Sequence, residues 1–277
     1  MRPIAVFLLI AILFSACKQK HEAQTQAGTG DSVQVQAKET FDSGMYALAP
    51  TWKFYKDFDI NSSKANLLIY YPQIILGDSS GYITITSLDT TYVIPEKYVI
   101  PLHGGGQISR GDYLLTWWQN GSGMQRAYVT ALTDDNLPVV QYLDFDWEWT
   151  DKSLQTVDTL KPDSYRKITK PLDPGSSVAY KNGSTYQCWI VLRNRDGKIL
   201  VKNWSNQVKC LDKDAVLPNA VRKDLDTGQT VWIPVFGIYT YGTVTGLKNG
   251  LVDVEIDFLG NKKNVRVPAL DVRTDLP

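Results

Sequence analysis

Apolar and polar positions alternate along most of this chain with a period of two. Residues 82–86 read Tyr-Ile-Thr-Ile-Thr, and residues 251–258 set Val252, Val254 and Ile256 against Asp253, Glu255 and Asp257. Such alternation places one set of side chains on each face of a strand. Further β-rich runs fall at 92–95, 98–101, 113–118, 125–132, 138–145, 186–192, 198–204, 230–235, 241–247 and 265–268. Between them lie Asn120-Gly121-Ser122-Gly123, Asp134-Asp135-Asn136, Asp196-Gly197 and Lys248-Asn249-Gly250, all residues that accept turn geometry. A denser apolar run at 66–76 is interrupted by Pro72, and Trp52, Phe54, Tyr55 and Phe58 are expected to pack one face of that region. Short strands with a turn signal every ~8–12 residues, and no long run of helical period, predict an all-β protein.

The pattern also repeats. Leu172-Asp173-Pro174-Gly175-Ser176-Ser177-Val178 returns as Leu225-Asp226-Thr227-Gly228-Gln229-Thr230-Val231, that is, Leu-Asp-x-Gly-x-x-Val. Leu160-Lys161-Pro162 with Arg166-Lys167 precedes the first copy, and Leu217-Pro218 with Arg222-Lys223 precedes the second. This divides the chain into a β-rich N-terminal region (41–106), unit 1 (107–168), unit 2 (169–221) and unit 3 (222–277). The sequence leaves open whether 41–106 is a further copy. Units of this size bury little alone, so neighbours must pack on one another.

In unit 3, Gly228-x-x-Val231, Tyr241-Gly242-Thr243-Val244, residues 252–260 and residues 265–268 follow one another as in a Tudor domain, a member of the SH3-like barrels. Unit 1 is similar through Gly111-Asp112, Ala127-Tyr128-Val129 and residues 140–146, and unit 2 resembles the family more loosely. The resemblance implies tandem SH3-like (Tudor-like) barrels. Such barrels often hold a methylated cation in an aromatic cage. Matching positions are Trp117 or Trp118, Tyr128 and Phe145 in unit 1, and Phe236, Tyr241 and Phe258 in unit 3. The alternative is that these rings are barrel core.

The N-terminus carries an address. Met1-Arg2, a short apolar run at 3–14, and Ser15-Ala16-Cys17 read as a signal peptide, the run being too short to span a bilayer. The segment resembles the lipobox of bacterial lipoproteins, with Phe14 where that family usually has Leu. The resemblance implies that Cys17 is lipidated, becomes the first mature residue and anchors the chain to a membrane of the cell envelope on its extracytoplasmic side. Residues 18–40 are poor in large apolar side chains and are expected to be a flexible tether. Lys+Arg and Asp+Glu both total 29, so no net basic charge argues for nucleic acid.

Candidate chemistry is sparse. Alternation over 142–149 sets Asp144, Asp146 and Glu148 on one face, where three carboxylates could meet a calcium ion. A solvated acidic face over packed Phe145, Trp147 and Trp149, or a sugar-stacking tryptophan surface, are the other readings. His103-Gly104-Gly105-Gly106 matches an esterase oxyanion loop but lacks a nucleophile elbow elsewhere in the chain. Cys188 and Cys210, an even pair in an oxidising compartment, predict a disulfide, with two free thiols as the alternative. Together these readings favour a non-catalytic binding or scaffolding protein without cofactor or metal, its partner a protein, peptide or glycan. A hydrolase with a site around His103 and Asp144 or Asp146 is the alternative. Replacing Cys17→Ser is expected to abolish membrane association and metabolic labelling with a fatty acid, and unchanged label in the variant would exclude the anchor.

Overall fold

The computed structural model describes residues 39–61, 67–87, 90–103, 106–145, 155–221 and 224–277. Cys17, the signal segment and residues 18–38 lie outside them. Among the described residues no helix is long and apolar enough to cross a membrane.

Four turns of one design organise the protein. Gly44, Gly111, Gly175 and Gly228 have φ of 89°, 91°, 92° and 88°. The residue after each glycine donates its N–H three residues back: Met45 to Asp42, Asp112 to Ser109, Ser176 to Asp173 and Gln229 to Asp226. This is the bond of a type II turn, which needs a positive φ at its third residue. Each of these glycines also donates at 2.8 Å to a carbonyl of the unit's second strand, on Ile75, Val129, Val191 and Val244 respectively. Just beyond that contact the second strand bulges in every unit, between Ile75 and Gly77, Val129 and Ala131, Val191 and Arg193, and Val244 and Gly246. The apolar residue three places before each glycine, Phe41, Ile108, Leu172 or Leu225, is buried. The N-terminal region therefore repeats the pattern of the other three units. Its copy is hard to see because Phe41-Asp42 stands where the clear repeats have Leu-Asp.

The strands follow one plan. The N-terminal unit has β1 (Tyr46–Pro50), β2 (Tyr70–Ser79), β3 (Tyr82–Ser87), β4 (Thr90–Pro95) and β5 (Ile100–Pro101), in the order β4-β3-β2-β1-β5. Unit 1 has β6 (Tyr113–Trp117), β7 (Met124–Leu132), β8 (Pro138–Tyr142), β9 (Val157–Thr159) and β10 (Arg166–Ile168), in the order β10-β6-β7-β8-β9. Unit 2 has β11 (Ser177–Asn182), β12 (Thr185–Arg195), β13 (Lys198–Lys202), β14 (Val208–Asp212) and β15 (Val216–Pro218), with β15 returning to β11. Unit 3 has β16 (Thr230–Val235), β17 (Ile238–Lys248), β18 (Leu251–Phe258) and β19 (Asn261–Pro268), and a bridge from Arg273 to Trp232 replaces the fifth strand. Each unit is thus an antiparallel four-strand meander whose last segment returns to the first strand. Among the described residues no sheet closes on itself. Units 2 and 3 share one sheet through Gln187 on β12 and Ile238 on β17.

The main hydrophobic cluster draws from all four units, for example Leu48, Ile85, Leu115, Leu143, Leu192, Val208, Val231 and Val254. Ionic contacts tie the units further. Glu39, expected in the tether, instead accepts from Arg166 of unit 1 and Arg193 of unit 2. Burial raises the pKa of its carboxyl, but the two guanidiniums prevail and hold it below the usual range.

The expected disulfide is not formed. Cys188 is a buried free thiol on β12, and Cys210 an exposed one on β14. Strand β13 runs between them, and Cys210 lies opposite Leu200, which itself lies opposite Arg193 and not Cys188. Two strand spacings alone are ~10 Å, beyond the ~7 Å that a bridge can span.

The turn glycines yield a graded prediction. A β-carbon on Gly228 meets nothing within 4 Å, whereas one on Gly175 would sit 2.7 Å from Ile168 Cδ1. Gly228→Ala should therefore lose only the conformational term, about 1–2 kcal/mol. Gly175→Ala should lose clearly more by denaturant titration, and equal losses would remove the packing argument.

Candidate functional site

Arg126 projects from β7 into the junction of three units and is 1% exposed. All five of its guanidinium N–H groups are used. Nε and Nη2 donate to Asp144 of its own unit; Nη1 and Nη2 donate at 2.6 and 2.9 Å to Asp271 of unit 3; Nη1 also donates at 2.8 Å to Ser177 Oγ of unit 2. Ser177 Oγ and Asp271 bond one another directly. Burial works against the charge of Arg126, but the two carboxylates outweigh it and hold its pKa well above the ordinary value. Close by, Asn219 donates at 2.8 Å to the Tyr239 hydroxyl and accepts from Arg273, which also donates to the carbonyls of Leu217 and Pro218. Burial pushes the pKa of the Cys188 thiol far up, so it stays protonated and unreactive.

Above this junction opens a cleft of about 550 Å³, lined by residues of all four units. Ile69, Met124, Leu143 and Val265 supply apolar wall, and Arg126, Asp144 and Asp271 lie at its base. Trp204, Phe236 and Phe258 stand at the cleft and remain 66%, 67% and 43% exposed. Trp204 and Phe236 meet edge to face with centroids 6.5 Å apart.

The local backbone makes these rings unusual. Phe236 (φ 49°) and Gly237 (φ 77°) form the turn between β16 and β17, and Leu259 (φ 55°) and Gly260 (φ 80°) the turn between β18 and β19. Paired positive φ values are those of a type I′ turn, whose first residue is ordinarily Asn, Asp or Gly. Other hairpins of this protein obey the rule more closely, with Ser80-Gly81, Asp196-Gly197 and Asn249-Gly250. Placing Phe and Leu there, with Leu259 88% exposed, satisfies neither backbone preference nor burial. Gly237 also gives Trp204 its place, because a β-carbon there would lie 2.3 Å from the indole.

Of the aromatic positions singled out in the sequence, Phe145, Phe236 and Phe258 line the cleft. Trp117 is buried and packs on Tyr46 at 5.2 Å, and Tyr128 packs on Tyr113 at 5.4 Å. Trp118 sits edge-on to Phe145, and Tyr241 is exposed against Trp232 outside the cleft. The rings at the cleft thus come from different units and not from one cage within a unit. Asp144 is taken by Arg126, His103 does not line the cleft, and Asp146 and Glu148 lie outside the described residues. Among the described residues no three His, Cys, Asp or Glu side chains gather as metal ligands. Sequence reasoning missed Arg126, Asp271, Lys202 and Trp204. One signal was available: Trp204 interrupts the polar stretch Asn203-Trp204-Ser205-Asn206. No protein-family model matches the chain, and no curated protein sequence matches it significantly.

Arg126→Met should strip two buried carboxylates of their partner and destabilise the protein by about 3–5 kcal/mol. Adding Asp144→Leu and Asp271→Leu should recover much of that loss, since apolar replacement of a whole buried ion network is often tolerated. Chemical denaturation of the single and triple variants checks both, and a single-variant loss below about 1 kcal/mol would show that the network is not structural.

Proposed function

We propose that this chain is a non-catalytic binding protein of the cell envelope, anchored through Cys17, whose four SH3-like units frame one ligand cleft. The barrel reading draws support from the shared strand order and from the turn and bulge recurring in each unit. The anchor reading rests on the residues around Cys17. The observation that carries the binding role is the exposed set Trp204, Phe236 and Phe258 at a cleft of about 550 Å³. One of these rings, Phe236, occupies a strained turn position where Asn, Asp or Gly ordinarily stands. Flat aromatic faces suit the apolar face of a sugar ring or a peptide side chain, so the ligand class is a glycan or a peptide. The chemistry at the base favours binding over catalysis: both carboxylates are committed to Arg126, and the Cys188 thiol stays protonated. A hydrolytic site joining His103 to Asp144 gains nothing from this geometry, because His103 is not at the cleft.

The test uses Trp204→Ala/Phe236→Ala, two exposed side chains whose removal leaves the core intact. Glycan and peptide arrays probed with the soluble wild-type chain should return ligands that bind the double variant at least about tenfold more weakly, a difference of ~1.4 kcal/mol. Ligands that bind both proteins equally would place recognition elsewhere, and arrays without any ligand would remove the binding role.

A further inference from the structure

We propose that the cleft is selective for a small ligand bearing a carboxylate, with the acid group set against the Lys202 ammonium and the body of the ligand against Trp204 and Phe236. This rests on the cleft being the binding site and adds the chemistry of what it takes.

Lys202 ends β13 and lines the cleft beside Trp204. Its one hydrogen-bond partner among the described residues is Asn206 Oδ1, at 3.2 Å, and no described carboxylate lies within ion-pair distance of it. Other charges at the cleft are otherwise engaged. Asp144 and Asp271 share Arg126, and Arg266 is held by both oxygens of Asp253 at 2.7 and 3.0 Å. An anion entering the cleft therefore finds in Lys202 a cation with only a neutral partner to displace. Cations already paired with carboxylates would have to give up a bond of equal kind.

The loop that carries this pair is held in place. Asn203 Oδ1 accepts from the N–H of Ser205 at 3.0 Å, from Ser205 Oγ at 2.9 Å and from the N–H of Gln207 at 2.9 Å. Leu68 also donates to the carbonyl of Asn206 from the N-terminal unit. Lys202 and Trp204 are thus fixed relative to each other before any ligand arrives, which lowers the ordering cost of binding. The apolar walls and a volume near 550 Å³ suit a single small molecule.

Protonation supports the same assignment. Burial pushes the pKa of Lys202 down to about 8, Asp144 pulls it back up, and Arg126 adds to the fall. Asp271, Lys263, Arg266 and the protonated Cys188 thiol also line the cleft. The ammonium is therefore mostly charged at pH 7 but poorly solvated, and it gains from an incoming carboxylate. Binding favours the ammonium with the carboxylate, so affinity should be flat from about pH 6, where the ligand's acid group is ionised, to about pH 8. It should fall as the pH rises from the pKa of free Lys202 to the higher pKa it has with the ligand bound.

Two sources share this chemistry, an acidic sugar and an acid on an aromatic body. Titration of tryptophan fluorescence with glucuronate against glucose, and with 3-phenylpropionate against 3-phenylpropan-1-ol, separates them. In at least one pair the acid should bind at least about tenfold more tightly than its neutral analogue at pH 7. Lys202→Met should reduce that difference to within about twofold and remove the alkaline fall, an apolar stem of similar length keeping the fold. Trp204→Phe should weaken acid and neutral analogue alike. Equal binding within both pairs, an unchanged preference in Lys202→Met, or no binding by either acid would overturn the proposal. Array ligands lost in Trp204→Ala/Phe236→Ala would still stand in any of those cases, so failure of the carboxylate assignment is distinguishable from failure of the cleft.

Discussion

The mutual placement of units 1, 2 and 3 depends on one buried guanidinium. Apolar contact is non-directional, and the shared cluster running through the four units would tolerate small rotations of one on another. Arg126 does not. Its five donors are satisfied only when Asp144, Ser177 and Asp271 converge on one plane from three units. An error in that placement leaves a charge unpaired inside the protein, which is among the most expensive faults a fold can carry. The ion network gives the assembly its geometry even where apolar residues of the same shape would give it more stability. Because Asp144 and Asp271 also line the cleft, the constraint that orients the units shapes that cleft as well.

Beneath that junction each unit is set locally. The glycine turn holds its bound strand by two hydrogen bonds to one residue of the second strand, and the bulge follows at once. A bulge inserts an unpaired residue and increases the local twist. Second strands are therefore bent at one equivalent position in all four units, and none of the three sheets is a flat ribbon. Each unit leaves its fourth and fifth segments unpaired with one another, and the shared cluster together with the β12–β17 contact joins the units. Small domains that cannot fill a core alone obtain one in this way.

What the sequence made legible was what lies close along the chain. Period-two alternation located the strands, Asp196-Gly197 and Asn249-Gly250 marked hairpins, and the Leu-Asp-x-Gly repeat gave the turn that recurs. Phe41-Asp42-Ser43-Gly44 carries the same turn and went unnoticed because its first residue is Phe and not Leu. The cleft was not legible. Arg126 and Asp271 are far apart in the chain, and nothing around either residue announces the other. Two of the ring positions miss the cleft for a related reason: family positions give strand and register, yet Trp117 is covered by Tyr46 of the N-terminal unit and Tyr128 lies against Gly250 of unit 3. The cysteine pair shows the same limit. Aligning the repeats puts both residues on strands of one unit, but only the sheet order reveals β13 between them.

The hairpin tips separate what the fold requires from what it merely carries. Ser80, Asp196 and Asn249 occupy positive φ with small or polar side chains, and Asn tolerates that backbone best. Phe236 and Leu259 occupy the same position with bulky apolar side chains that remain largely in water. Each such residue costs about 1–2 kcal/mol in backbone strain and gains little by burial. Trp204 compounds the departure, lying over a glycine in an otherwise polar loop while most of its surface stays exposed. Phe236 and Trp204, on loops of two different units, thus give up local stability at the cleft that both of them line. Their edge-to-face meeting at one opening is the feature on which the proposed binding role rests.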